Sequence, residues 1–452
     1  MTAHAIAGPE VARYASAARP RRISLPPGWP FLAMLILSPL WYVLGLGSFI
    51  WILLAAPMFA HLVMTRSWRA PRGFILWLFF LLWVLLSAVG LQTTGNAFTY
   101  LFRTGAYVAA GLGFLYLVNV DEKDLPTDKI LVALTVFWIV IVGGGFLALA
   151  IPHFSFSSPF QKVLPGSFLS NRYLHDLVHP SLSQAQALGG VRAIGHAITR
   201  PAAPFPYTNQ WGGTYAFLIP FVILTMRRLR SRRRRIALAV LLVISLVPFV
   251  ISINRGAWLS LAVAALYAWI RFAVRRNLRS SVGMLVLLGV VVLTVLVTPL
   301  RGVVLARLGH HGSASLRLEL YHQSAQSALQ SPWVGYGVPL PQPVSQYTLP
   351  NVGTQGQLWL VLVSVGFPGT FFFLAWLLYL FWKSRGIGNQ VTFAVHLAML
   401  IALVQVPLYG FMPGELFLIM AAGALIWRTN GQAADARAVS ARASTAVPAV
   451  QG

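Results

Sequence analysis

Long apolar runs recur along the whole chain and constrain its fold more than any other feature of the sequence. Twelve runs can be distinguished, approximately at 30–47, 48–64, 73–91, 100–119, 129–151, 207–226, 236–253, 256–272, 282–300, 357–382, 390–408 and 414–428. A membrane core about 30 Å thick is crossed by roughly 20 apolar residues in helical conformation. Only 10% of the residues are charged and 57% are hydrophobic, which excludes a soluble globular enzyme. The sequence predicts an all-α integral membrane protein with about 12 transmembrane helices.

The chain divides into one polytopic membrane domain, residues 29–428, and two polar tails. Residues 1–28 are rich in Ala, Arg and Pro and precede the first apolar run, so a flexible basic tail is predicted and a cleavable signal peptide is not. Residues 429–452 contain Ala, Arg, Ser and Thr with little apolar surface to bury, which predicts a disordered tail. The chain has no cysteine, which excludes disulfides and thiolate metal sites.

Basic residues predict the orientation of the helices, because short cytoplasmic loops collect Lys and Arg. The basic residues that fall on one side of the predicted helices are Arg13, Arg19, Arg21, Arg22, Arg66, Arg69, Arg72, the run 227–235, Arg271, Arg275, Arg276, Arg279, Lys383 and Arg385. Both termini are therefore predicted to be cytoplasmic, and two long segments, 152–206 and 301–356, to be extracytoplasmic. Loops of this length usually carry function. The net charge of +25 is scattered between apolar runs, which indicates topology signals and contact with anionic membrane lipid, and no nucleic-acid partner is expected.

Eight arginines depart from this charge rule because they lie on or near the predicted outer face. They are Arg103, Arg172, Arg192, Arg200, Arg255, Arg301, Arg307 and Arg317. The outer carboxylates are only Asp176, Glu319 and Glu415, so ion pairs within the protein cannot satisfy all eight cations. An anionic ligand such as a phosphate or pyrophosphate is the natural remaining partner. Hydration or contact with lipid phosphate is the alternative, and Arg255 fits it poorly because its turn is too short to hold it in water.

Two motifs place arginines next to predicted helix starts. In Arg-Pro-Ala-Ala-Pro-Phe-Pro-Tyr-Thr-Asn-Gln-Trp-Gly-Gly, beginning at Arg200, the prolines stiffen the approach to the membrane, and Asn209 and Trp211 are predicted at the interface. In Ile-Asn-Arg-Gly-Ala-Trp-Leu, beginning at Ile253, a glycine permits a sharp turn beside Arg255. A proline-rich connector and an ordinary turn are the structural alternatives, and the second of these leaves the arginine unexplained.

Two further motifs lie in and after the second long segment. Residues 313–337 predict a helix that runs to about Gln330 and stops before Pro-Trp-Val-Gly-Tyr-Gly, with Arg317 and Tyr321 four residues apart on one face. Residues 351–359 place polar groups and glycines at the start of the next apolar run. An amphipathic helix on the bilayer surface and a simple helix cap are the alternatives for these two motifs.

Together and in this order, the motifs resemble the O-antigen ligase and Wzy-type polysaccharide polymerase family. The resemblance rests on Asn-Arg-Gly-Ala-Trp-Leu-Ser at a helix start, on Arg317 and Tyr321 before Pro-Trp-Val-Gly-Tyr-Gly, and on a Gly-Thr-containing helix start followed by Gly366 and Gly369. It covers residues 195–380 specifically. It implies a bundle of membrane helices with a large extracytoplasmic segment, and transfer of a glycan from an undecaprenyl-pyrophosphate carrier to an acceptor hydroxyl.

The resemblance also implies roles for individual residues. Arg200, Arg255 and Arg317 look like the family arginines that hold the carrier pyrophosphate. Residues expected to position the donor or the acceptor are Asn209, Trp211, Tyr321 and Asn351. A family histidine proposed to position or deprotonate the acceptor is replaced by Gln355, which cannot take a proton at neutral pH. Glu319, His322 and Asp176 are the candidate bases on the outer face, with neutralisation of Arg317 as the alternative role of Glu319.

The expected reaction needs no metal or cofactor, because pyrophosphate is already a good leaving group and guanidinium groups can stabilise its developing charge. The expected partners are a lipid-linked glycan donor, a glycan or glycolipid acceptor and membrane lipid, with the active site facing outside the cytoplasmic membrane. A flippase or other transporter of lipid-linked oligosaccharide is the alternative. It is disfavoured because the sequence shows neither repeated halves nor midplane charges in the first five predicted helices.

Overall fold

The computed structural model describes residues 26–65, 68–169, 172–184, 192–193, 196–197, 199–276, 278, 282–283, 285, 289, 312–341, 350–386, 389–411 and 413–445. Within these residues the chain is mostly helical, which confirms the predicted helical class. Its helices, numbered in chain order, are α1 Trp29–Ile36, α2 Ser38–Leu44, α3 Ile50–Leu53, α4 Ala55–Met64, α5 Ile75–Leu86, α6 Ala97–Asn119, α7 Thr127–Ala150, α8 Pro159–Val163, α9 Gly166–Leu169, α10 Arg172–Val178, α11 Thr208–Arg228, α12 Arg232–Ile244, α13 Leu246–Ile251, α14 Arg255–Val274, α15 Gly312–Gln330, α16 Gln357–Lys383, α17 Gln390–Gln405 and α18 Gly414–Thr445.

Short elements complete the described chain. Turns of 3-10 helix lie at Arg72–Phe74, Ser87–Gly90 and Thr94–Asn96. Two antiparallel strand pairs lie in and next to the first long segment: β1 (Ser183–Gln184) with β4 (Arg200–Pro201), and β2 (Arg192–Ala193) with β3 (His196–Ala197). The pairing of β1 with β4 anchors Arg200 at the beginning of the segment that leads into α11.

Six helical stretches of the described chain are long and apolar enough to cross a membrane. They are Arg72–Gly90, Ala97–Asn119, Thr127–Ala150, Arg232–Ile251, Arg255–Val274 and Gln357–Lys383. Two shorter apolar stretches, Ile50–Met64 and Gln390–Gln405, also coincide with predicted runs. The predicted total of twelve transmembrane helices and the cytoplasmic position of both termini stay predictions.

Some predicted runs are interrupted or extended in the structure. The run 236–253 is divided at Ser245 into α12 and α13. Helix α18 continues to Thr445, whereas the sequence predicts a disordered tail from residue 429. Alanine and arginine are frequent in this stretch and have high helix propensities, which explains the longer helix. Residues 1–25, most of the run 282–300, and both Arg301 and Arg307 lie outside the described residues.

The core is formed where long helices pack along each other. Helix α6 packs against α18, α5 against α16, α11 against α7 and α17, and α14 against α17. Apolar side chains from these helices form one continuous buried cluster. Its largest fully buried members include Trp77, Trp138, Trp211 and Trp376. Tryptophan side chains bury large areas, so these four positions contribute strongly to packing.

Helix α16 is kinked, and the motif at 332–337 satisfies backbone groups that the kink exposes. Gly366 adopts a φ of 74°, which favours glycine, and Pro368 has no amide hydrogen to donate. The Ser364 carbonyl, which would otherwise pair with residue 368, accepts a hydrogen bond from the Gly337 amide at 2.8 Å. The Pro-Trp-Val-Gly-Tyr-Gly motif therefore docks the end of α15 onto α16.

Polar contacts join helices at both ends of the described bundle. At one end, the Asn254 side chain donates to the Thr208 carbonyl, which joins the starts of α14 and α11. At the other end, Arg271 donates to the Arg385 carbonyl, which joins the last turn of α14 to the segment after α16. The starts of α11 and α14 therefore lie at one end of the bundle. Arg271 and Arg385, which are predicted to be cytoplasmic, lie at the opposite end.

Candidate functional site

Arg200 is held at the start of the helix bundle by three neutral oxygen atoms from two segments, the turn before α14 and the first turn of α11. Its Nε donates to the Ser252 carbonyl at 2.6 Å, and its Nη2 donates to the side-chain oxygens of Asn254 at 2.6 Å and Asn209 at 3.3 Å. Asn254 in turn donates to the Thr208 carbonyl at 2.8 Å. These hydrogen bonds orient the guanidinium without neutralising its charge. The first two sequence motifs therefore meet at Arg200.

The turn before α14 is built to deliver Asn254 and Arg255. Ile253 has a φ of 53°, which is unusual for a β-branched residue and costs about 1–2 kcal/mol. Asn254 is 1% exposed and packs against Gly212, where a Cβ would lie 2.1 Å from its Nδ2. Glycine at 212 therefore allows α11 to approach the turn closely. Arg255 follows as the first residue of α14 and is half-buried.

Tyr409 joins this arrangement from the segment between α17 and α18. Its hydroxyl accepts a hydrogen bond from the Ala257 amide at 3.0 Å, so it caps the first turn of α14, where Arg255 begins the helix. Burial raises the pKa of Tyr409, while Arg317 and Arg200 lie close enough to act in the opposite direction. Arginines from two distant motifs thus approach the positive end of a long helix. This concentration of positive charge suits a bound anion.

Tyr321 connects α15 with the start of α16. Its ring stacks on Trp359 with a centroid distance of 4.7 Å, and its hydroxyl donates to the carbonyls of Pro407 at 3.2 Å and Gln355 at 3.5 Å. Burial raises the pKa of Tyr321, and the hydrogen-bonded guanidinium of Arg317 acts in the opposite direction. The structure therefore confirms that Arg317 and Tyr321 share a face of α15. Tyr321 on this face contacts Gln355 and Trp359 at the start of α16.

Gln357 is a fully buried amide that ties α16 to its neighbours. Its backbone amide donates to the Tyr409 carbonyl at 2.7 Å. Its side chain donates to the Tyr107 hydroxyl at 3.1 Å and accepts from the Phe411 amide at 2.9 Å. The start of α16 is consequently locked to α6 and to the segment that carries Tyr409.

Arg103, one of the eight arginines predicted on or near the outer face, lies one helical turn before Tyr107 on α6. Its side chain is 8% exposed and lies over the Tyr173 ring at 5.4 Å from the centroid. Among the described residues, its Nε and Nη1 atoms find no hydrogen-bond partner. Nearby, Tyr207 donates to Asp176 at 3.2 Å. A buried cation with unused donors adds to the positive charge beside the site.

The two residues proposed as bases on α15 lie away from this arrangement. Glu319 is exposed and accepts a hydrogen bond from Gln323 at 2.9 Å. His322 is also exposed and lies 3.4 Å from Gln326. Both lie on the side of α15 that does not carry Arg317. They therefore face away from the starts of α11 and α14. Their part in the reaction stays a prediction that this geometry does not favour.

Two predicted positioning residues, Trp211 and Asn351, make contacts with residues other than the arginines. Trp211 is completely buried, where it stacks on Tyr215 and donates to the Ile141 carbonyl at 2.9 Å. It was expected at the interface, but close packing of α11 against α7 takes it into the core. Asn351 is exposed, and its carbonyl accepts from Thr354 at 2.7 Å. The role of these two residues in positioning substrate stays a prediction.

The carboxylates that the sequence predicts at the outer face are dispersed among different contacts. Asp176 accepts from Tyr207, Glu319 accepts from Gln323, and Glu415 is buried at the start of α18. Within the described ranges, no group of three His, Cys, Asp or Glu side chains is placed to hold a metal ion.

The fold and the site define a helical membrane-associated protein with a cluster of arginines at its helix starts. Residues 240–374 match the model of the family described as O-Antigen ligase. This match confirms the resemblance to the O-antigen ligase and Wzy-type family, and it supports an enzyme of glycan transfer in polysaccharide assembly. It includes Arg255, Arg317 and Gln355 and does not reach Arg200 or Tyr409. No curated protein matches the chain.

Proposed function

We propose that the protein transfers a glycan from an undecaprenyl-pyrophosphate carrier to an acceptor hydroxyl on the outer face of the cytoplasmic membrane. The observation that carries this proposal is the set of contacts around the start of α14, where Arg255 begins the helix. Arg200 donates to Asn254 directly before Arg255, and Tyr321, which shares a face of α15 with Arg317, donates to the Pro407 carbonyl beside the Tyr409 that caps the helix. The family match over residues 240–374 supports the same kind of chemistry.

The proposed chemistry follows from where negative charge develops. As the bond between the anomeric carbon and the pyrophosphate breaks, the electron pair stays with the phosphate oxygen. Preorganised guanidinium groups and the positive end of α14 stabilise that charge, so no general acid is needed on the leaving group. A metal is not required in this scheme, because arginines take the place that a divalent cation has in metal-dependent transferases. The dispersed carboxylates Asp176, Glu319 and Glu415 also form a poor oxygen cage for Mg²⁺ or Mn²⁺.

Transfer by the purified protein is the direct test. The full-length protein in nanodiscs is given lipid-linked glycan from a strain that lacks it, the acceptor fraction of that strain, and excess EDTA. We expect transfer at the same rate with and without EDTA. A strict requirement for magnesium or manganese would contradict the metal-independent scheme. Donor that accumulates on the inner leaflet of the deletion strain, with no transfer in vitro, would instead indicate a flippase.

The orientation of the membrane domain is tested with single cysteines, since the chain has none of its own. Ser155 is exposed in the first long segment, and Ser231 is exposed between α11 and α12. We expect Ser155→Cys to react with an impermeant thiol reagent in spheroplasts, and Ser231→Cys to react only after the membrane is permeabilised. The positive-inside rule is the reason, because residues 227–235 are strongly basic. Labelling of Ser231→Cys from outside would overturn the orientation.

A further inference from the structure

Three buried oxygen atoms converge on Gly213 of α11. A Cβ at Gly213 would lie 2.9 Å from Glu415 Oε2 and 3.2 Å from both Glu415 Oε1 and Gln405 Oε1. Glu415 is the second residue of α18, and Gln405 is the last residue of α17. Glu415 is 2% exposed and Gln405 is completely buried. Among the described residues, none of the three oxygens has a hydrogen-bond partner, so three acceptors meet where glycine leaves room.

Three buried acceptors brought together in this way need a hydrogen atom between them. Buried polar groups in folded proteins nearly always have a partner, and oxygens that only accept repel one another away from water. A Cβ position is one covalent bond from its Cα, so neither a water molecule nor a metal ion can be centred at the point that the three oxygens share. A proton on the carboxyl removes the conflict, because a carboxylic acid donates one hydrogen bond and a carboxylate donates none.

The other contacts of Gln405 determine which way its amide faces. Its Nε2 donates to the Ser260 hydroxyl oxygen at 2.9 Å and to the Gly213 carbonyl at 3.4 Å. The Ser260 hydroxyl has a single hydrogen, which it donates to the Ala257 carbonyl at 2.9 Å. A carbonyl and a hydroxyl that has already donated both require a donor, so the nitrogen of the amide faces them. Gln405 Oε1 is therefore turned towards Glu415.

These contacts continue to the start of α14. Ala257 lies in the first turn of that helix, two residues after Arg255. Its carbonyl accepts from Ser260, and its amide donates to the Tyr409 hydroxyl at 3.0 Å. A series of buried polar groups thus runs from Glu415 through Gln405 and Ser260 to the turn that begins with Arg255.

We propose that Glu415 is a neutral carboxylic acid that donates a hydrogen bond to Gln405 Oε1, and that this bond positions the first turn of α14. Glu415 is a positioning residue, because it acts through Gln405 and Ser260. A neutral acid ties α18 and α17 to α14 without adding negative charge beside the arginines. The positive end of α14 therefore stays available to an anion. The effect on glycan transfer rests on the proposed function, whereas the neutral state of the carboxyl does not.

Infrared spectroscopy measures the protonation of Glu415 directly. The full-length protein is purified in a maltoside detergent, which has no carbonyl group, and its nine Asp and Glu residues keep the spectrum simple. Exposed carboxyls, with ordinary pKa values of about 4, are ionised at about pH 8. At that pH we expect the carbonyl stretch of a carboxylic acid in the wild type, its loss in Glu415→Gln, and its retention in Asp121→Asn, which changes an exposed carboxyl.

Two infrared results would overturn the inference. A wild-type spectrum without the carboxylic-acid band would show that Glu415 is ionised and that the Gln405 amide faces the other way. A band that persists in Glu415→Gln would belong to a different carboxyl. Neither result depends on glycan transfer, so this test stands apart from the proposed function.

The nanodisc transfer assay measures the positioning effect. Glu415→Gln keeps the size of the side chain and an N–H that can donate to Gln405, so its rate should stay within about twofold of the wild type. Glu415→Leu has a similar volume and no donor, and its rate per amount of folded protein should fall about tenfold because Gln405 Oε1 is left unpaired. Gln405→Leu should also transfer slowly, and the double leucine variant should lose less than the product of the two single losses. Asp121→Asn is the matched control and should keep the wild-type rate.

The outcomes of the transfer assay are distinguishable. If Glu415→Gln is as slow as Glu415→Leu, the site needs an ionised carboxylate and the inference is wrong. A fully active Glu415→Leu variant would show that the hydrogen bond does not position α14. If the leucine variant does not fold, the wild-type infrared band and the rate of Glu415→Gln decide the question. A wild type that shows the band and transfers no glycan contradicts the proposed function and leaves the neutral carboxyl in place.

Discussion

Replacing Arg255 or Arg317 with alanine is expected to reduce glycan transfer about a hundredfold while the protein stays folded. Each side chain is expected to stabilise the negative charge of the leaving group in a partly desolvated site. Loss of one preorganised donor there costs on the order of 3 kcal/mol. Both are only half-buried, so their removal leaves no large cavity in the core. The initial rate of transfer at saturating acceptor, per amount of folded protein, is the measurement.

Lysine substitutions and a matched alanine variant sharpen this prediction. Lysine keeps the charge but lacks the planar fork that binds phosphate in a bidentate manner, so Arg255→Lys and Arg317→Lys should recover only part of the rate. Arg275 is exposed at the far end of α14 and serves as the control, since its alanine variant should transfer normally. Near-normal rates for both Arg255→Ala and Arg317→Ala would remove the assignment of the pyrophosphate to this site.

The second large effect is expected on stability, at the opposite end of the bundle. The Arg428 side chain of α18 is 3% exposed and pairs with Glu122 at 2.7 Å. It also donates to the carbonyls of Leu117 at 2.8 Å and Val120 at 2.6 Å at the end of α6. Removing Arg428 leaves these buried carbonyls without its donors, at a cost of about 1–3 kcal/mol for each acceptor that stays unpaired, whereas Glu122 is 41% exposed and regains water. Arg428→Ala should therefore lower the midpoint of thermal unfolding by many degrees.

A surface ion pair on the same side provides the comparison for Arg428. Arg228 pairs with Asp128, and both side chains are substantially exposed. Exposed pairs contribute only about 0–1 kcal/mol, so Arg228→Ala should unfold close to the wild-type temperature. Thermal unfolding in one detergent, followed by size-exclusion fluorescence, measures both variants. Equal midpoints for Arg428→Ala and Arg228→Ala would show that the buried contacts do not hold α18 against α6.

The amino-acid sequence alone determined the helical class and the choice of arginines. Apolar runs of membrane-spanning length can satisfy their backbone groups in a bilayer only as helices or closed barrels, and their near-continuous apolar character favours helices. The four-residue spacing of Arg317 and Tyr321 predicted that they share a helix face, because residues four apart are neighbours on the surface of a helix. Both inferences use residues that are neighbours along the chain, so no knowledge of the packing is needed.

The tertiary structure alone decided which distant groups meet these residues. Tyr409 reaches the start of α14 across a separation of 152 residues, and Asn254 reaches Arg200 across 54. The same packing turned the Arg317 face of α15 inwards, exposed Glu319, and buried Glu415 next to Gly213. Helix periodicity states which residues share a face, but it does not state what that face contacts. The surface that a helix face contacts depends on how closely helices approach at small residues such as Gly212 and Gly213. This approach is visible only in the packed bundle.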